Sequence, residues 1–198
     1  MTRTLLCVLL ALASGAQAAT VVDTGTPDGH AVGSLFFDSQ DWVAGQVSFA
    51  TGATISAIQG HILGGAAGET FDISLFDNAG GLDAGTPLYT TTATFGSDGW
   101  NGAGGLHWTV GAGAYWIGFE IQGDDTLGSS SVTGALLDTG APHPLAHAVF
   151  TDNAGFSYQA APLSFGLQVS TVPWPATAST MLAGLALLSM LGRTRRRG

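Results

Sequence analysis

The chain has 198 residues, 45% of them hydrophobic and 10% charged, with 30 glycines and a formal net charge of −9. Its five basic side chains, Arg3, Arg193, Arg195, Arg196 and Arg197, lie at the two ends, so the stretch between them holds all fourteen acidic residues and a formal charge of −14 with His neutral. Nucleic acid is excluded as a partner, because its affinity comes from Lys and Arg neutralising phosphates; an anionic small molecule finds neither a guanidinium clamp nor a glycine-rich phosphate loop.

The N-terminus has the order of a secretory signal: Arg3, an apolar run from Leu5 to Ala13, then small residues in which Ala16 and Ala18 form an Ala-x-Ala cleavage site. Cleavage after Ala18 removes residues 1–18, including Cys7, the only cysteine, so the exported chain has no disulfide. Residues 19–171 are numerous enough for one domain with its own core.

Within that stretch short apolar–polar alternations are separated by turn-forming residues. Gln46 to Ala50, Ala57 to Leu63, and Phe71, Ile73 and Leu75 read as strands, the last ending in a turn at Asp77-Asn78-Ala79-Gly80-Gly81. Leu88 to Phe95 comes next, then Leu106, Trp108 and Val110, and Tyr115, Ile117, Phe119 and Ile121, the last two paired as a hairpin through Gly111-Ala112-Gly113. Val132 to Leu137, Ala146 to Phe150 and the alternation Leu163, Phe165, Leu167, Val169 complete the series. With no amphipathic helix before residue 176, the pattern predicts a single antiparallel all-β sandwich or jelly roll.

Four constellations bear on chemistry. Asp23-Thr24-Gly25 and Asp138-Thr139-Gly140 resemble the paired motifs of aspartic proteases, whose two aspartates share a proton. Against that reading, no strand is expected before Asp23, too little chain follows Asp138 for a second lobe, and the tripeptide is built from common turn formers. His143 and His147 are four apart, but Pro142 and Pro144 prevent the helix that would bring them to one face. Calcium is the one cofactor the residues allow, through oxygen ligands at Asp77, Asn78 and Asp83. The register places Trp108 inward and Trp116 outward, which makes Trp116 with Trp100 the pair for a sugar platform.

The C-terminus, residues 172–198, has three consecutive parts: the motif Val172-Pro173-Trp174-Pro175-Ala176, an apolar segment from Ala176 to Gly192, and the cluster Arg193, Arg195, Arg196, Arg197. As a helix the segment would span about 25 Å at ~1.5 Å per residue, slightly short of a hydrocarbon core of roughly 30 Å. The arginines hold that end in the cytoplasm and leave the domain outside, while Pro173 and Pro175 keep the motif extended at the membrane surface. This tail resembles the PEP-CTERM sorting signals, with Trp174 where Glu is commonest. The resemblance implies processing by exosortase, a membrane-embedded cysteine protease of Gram-negative bacteria that make extracellular polysaccharide.

The domain is similar to the choice-of-anchor β-sandwich domains common in such proteins, through Ala44-Gly45-Gln46-Val47-Ser48-Phe49, Ile73-Ser74-Leu75-Phe76-Asp77-Asn78, Tyr115-Trp116-Ile117-Gly118-Phe119 and Leu163-Ser164-Phe165; that group implies no activity. The expectation is a non-enzymatic protein of the cell surface or extracellular polysaccharide matrix, held at the inner membrane before processing. A calcium-assisted carbohydrate-binding module is the alternative, and an aspartic protease the third reading.

Overall fold

The computed structural model describes residues 18–28, 35–37, 42–80, 83–130, 134–151, 157–158 and 164–172. Among them the chain is all-β: β1 (Ala19–Asp23), β2 (Leu35–Phe37), β3 (Trp42–Phe49), β4 (Ala53–Leu63), β5 (Thr70–Gly80), β6 (Asp83–Thr94), β7 (Gly99–Val110), β8 (Gly113–Glu120), β9 (Ala135–Leu137), β10 (Ala148–Thr151), β11 (Ser157–Tyr158) and β12 (Leu167–Val172). The compact unit they form runs from Ala18 to Val172. The signal peptide expected over residues 1–18 lies, apart from Ala18, outside the described residues, as does everything from Pro173 onward, and among the described residues no helix is long and apolar enough to cross a membrane. Of the proposed sorting motif only Val172 is described; it ends β12 opposite Thr54.

Two antiparallel sheets enclose the core. The first has the order β1-β12-β4-β9-β2, with β7 also paired to β4, and the second the order β11-β10-β3-β8-β5-β6. Their facing sides supply Ile55, Ile58, Ile62, Trp108, Leu167 and Val169 from the first sheet and Val43, Val47, Phe71, Ile73, Ile117 and Phe119 from the second, all in one buried cluster. Strict alternation accounts for most of these, as in β12, where Leu167, Val169 and Thr171 are buried while the residues between them are only partly so. In β4 a bulge between Ile55 and Ala57 shifts the phase by one residue, so that Ile55 and Ile58 both point inward. Each such aliphatic or aromatic side chain contributes roughly 1.5–3 kcal/mol by leaving water.

The structure corrects the sequence reading in three places. β7 and β8 do not form a hairpin: β7 pairs with β4 in the first sheet and β8 with β3 and β5 in the second, so the chain at Gly111 and Ala112 crosses between sheets. Both strands still bury their alternate residues because they face the same core from opposite sides. The stretch Asp77-Asn78-Ala79-Gly80 is not a turn but the end of β5, which stays paired to β6 through successive bulges. Finally, a strand does precede the first Asp-Thr-Gly: β1 runs to Asp23, pairing with β12 from Ala19 opposite Thr171 to Asp23 opposite Gln168.

Candidate functional site

The bulged end of the β5–β6 hairpin folds over the outer face of the second sheet and uses the residues read as calcium ligands. Asp77 Oδ1 accepts the backbone N–H of Thr86, and its carboxylate fills the space that a Cβ on Gly85 would need. Asn78 Oδ1 accepts a hydrogen bond from Trp116 Nε1 at 3.2 Å. Asp83 pairs with Gly80 across the tip. Among the described residues no three His, Cys, Asp or Glu side chains converge as a metal site.

Trp108 is buried in the main core, stacked on Tyr89 at 5.4 Å. Trp116 faces away from Ile117, on the outer side, yet it is wholly buried there with Ala44 and Val149, packed by Trp42, Phe76 and Ala84. This corrects its assignment to an exposed platform: the hairpin end covers its ring. Trp100 lies on β7 in the other sheet, so the structure does not bring the two rings together.

The two Asp-Thr-Gly triplets flank one segment, Ser164 to Leu167. Thr24, buried, donates its hydroxyl to Phe165 O at 2.9 Å and accepts the N–H of Leu167 at 2.7 Å, while Thr139 bridges to Phe165 from the other side. The threonines therefore tie β1 and the stretch after β9 to the entry of β12. The aspartates have different partners. Exposed Asp23 accepts the N–H of Gly25 at 2.9 Å and the amide of Gln168 at 3.3 Å. Buried Asp138 lies with Oδ2 3.0 Å from Nδ1 of His61, whose ring meets Trp100 edge-on at 5.3 Å. His143 and His147 are exposed on the loop between Asp138 and β10.

Two further carboxylates carry no mark in the sequence. Glu69 is 7% exposed in a region without a single Lys or Arg. It accepts the Ser130 hydroxyl and the N–H groups of Ala66, Gly128 and Ser130. Burial would raise its pKa, but these donors outweigh burial and bring it from 4.5 to about 2. Glu120 is the opposite case. Burial pushes its pKa up, the Ser74 hydroxyl works against the rise, and the Asp72 and Asp125 carboxylates add to it. Gln122 donates its amide to Glu120 Oε2. Local sequence marks neither one: Glu69 follows Gly68 in a glycine-rich stretch and Glu120 lies between Phe119 and Ile121, while the donors to Glu69 at Gly128 and Ser130 come from about 60 residues away in the chain.

These features define an acidic, antiparallel two-sheet β domain with its main core between the sheets and a small aromatic cluster on the outer side of the second sheet. No protein-family model matches the sequence, and no curated protein is similar to it. Among solved structures it is similar to the cysteine protease and lectin-like domains of Cwp84, a surface layer associated protein of Clostridium difficile, at 10% identity and a TM-score of 0.48, over 68% of this chain and 32% of that one. The chain thus spans about a third of that structure's length.

Proposed function

We propose that the protein is a non-enzymatic component of the cell surface or extracellular matrix, exported through residues 1–18 and sorted by an exosortase-type membrane protease acting on residues 172–198. The observation that carries this reading is the order of parts in the tail: a proline pair at Pro173 and Pro175, a marginal apolar span, and terminal arginines. The fold is compatible with removal of both ends. Its first and last strands pair with each other, Ala19 opposite Thr171, so the two ends of the domain lie side by side, and the motif beyond Val172, which pairs with Thr54, follows the last paired residue. Uniform negative charge suits a protein that stays soluble in a matrix.

The test is the intact mass of the protein recovered outside the cell. Loss of Met1 to Ala18 together with the apolar tail is expected. Material that keeps the whole C-terminus overturns processing, and retention of the protein in the cytoplasm overturns the entire reading.

A further inference from the structure

We infer that the outer face of the first sheet is a binding site for a neutral, hydroxyl-rich polysaccharide chain, with the Trp100 ring as its stacking surface and Gln59 and Gln168 as its hydrogen-bonding row. The inference goes beyond the sorting reading and stands whether or not the tail is processed.

The face is laid out by register. Trp100 on β7 is opposite His61 on β4, and the next row on the same side is Gly102, Gln59 and Gln168. The row after that is Gly104, Ala57 and Ser170. The T-shaped contact of Trp100 with His61 places both rings on this side, and residues two positions on share it. Gly104 has nothing within 4 Å of where a Cβ would point. With Gly102 and Ala57 it leaves a low bed beside a partly exposed indole.

The indole is held in place from one side. Asp138 is buried against His61, and a Cβ on Gly166 would collide with the Cβ of His61 and crowd Pro27, so only glycine there lets the imidazole lie edge-on beside Trp100. His61 and Asp138 are therefore positioning residues. Gln59 makes no side-chain hydrogen bond with a described residue, and Gln168 makes a long one, 3.3 Å to Asp23. Their amides can both donate to and accept from vicinal hydroxyls.

Composition decides between ligands. Anionic polymers would meet exposed Asp23, beside Gln168, with no Lys or Arg anywhere between Arg3 and Arg193. On the face of a sheet, as opposed to its edge, a peptide needs apolar pockets for its side chains, whereas the exposed large hydrophobics among the described residues, Val21 and Leu88, stand singly on edge strands of different sheets. A neutral sugar chain fits both exclusions: the C–H face of a pyranose covers the ring and its hydroxyls take the amides.

The full chain, purified in detergent, is titrated by calorimetry with hydroxyethylcellulose, laminarin and galactomannan, and with alginate as the anionic control. At least one neutral polymer is expected to bind and alginate to bind at least about tenfold more weakly; Trp100→Ala should weaken the binding by about tenfold or more. Gly104→Leu, which fills open space and leaves the fold intact by circular dichroism, should block it, while Ser48→Leu on the outer side of the second sheet should not. The inference is overturned if no neutral polymer binds, if alginate binds as tightly, or if binding survives both Trp100→Ala and Gly104→Leu.

Discussion

Glu69 offers the sharpest check on the electrostatics of this fold, because its negative charge is held by dipoles alone. In the folded chain its carboxyl titrates at about 2 rather than 4.5, owing to Ser130 and three backbone N–H groups that outweigh burial. At ~1.4 kcal/mol per tenfold change the difference corresponds to about 3 kcal/mol. The carboxylate is covered but sits at shallow depth in a surface loop, and screening reduces this to roughly 2 kcal/mol. The sign follows from a depressed folded pKa: the stabilisation is fully present above the unfolded value and is lost as pH falls through the folded one. Glu69→Gln should therefore cost roughly 2 kcal/mol at pH 7, and the gap between variant and parent in urea unfolding should close between about pH 5 and pH 2. A gap that stays constant across that range would refute the reasoning, since a purely steric defect does not titrate.

Glu120 should behave in the reverse sense. Its folded pKa is raised, so its contribution to stability is greatest at low pH and is lost as pH rises through that raised value; Glu120→Gln is expected to raise Tm at pH 7 and to gain progressively less toward pH 4. Thr24→Val removes a buried hydroxyl that donates to Phe165 O and leaves the N–H of Leu167 without its acceptor, at a cost of about 1–3 kcal/mol in chemical denaturation. Gly118→Val tests the outer aromatic contact. A Cβ there would come within 3.0 Å of Phe76 and 3.7 Å of Trp42, whose rings meet above it at 5.8 Å, and overpacking of this kind costs about 1–3 kcal/mol, read as a fall in Tm.

Much of the strand content is legible in the sequence because its cause is local. The alternation of Leu167, Val169 and Thr171, or of Ile117 and Phe119, is visible wherever one side of a strand is buried, and it specifies which side faces in without reference to any partner. The same alternation puts Trp108 inward, where it is buried. The bulges are hidden because a one-residue phase shift, as between Ile55 and Ala57, looks like the end of a pattern. The run Asp77-Asn78-Ala79-Gly80 has the composition of a turn, yet continued pairing with β6 keeps it in the sheet.

The sequence by itself determined the strand periodicity, the absence of cationic side chains from the middle of the chain, and the three-part order of the tail, since each depends only on neighbouring residues or on counting. Tertiary structure alone decided the partners. Whether β7 and β8 join one sheet or two, whether an outward Trp116 meets water or a folded-over hairpin, and whether Asp138 faces Asp23 or His61 are all set by segments brought together from far along the chain. Those contacts form only when two sheets close on one core, and no local pattern of residues carries that information.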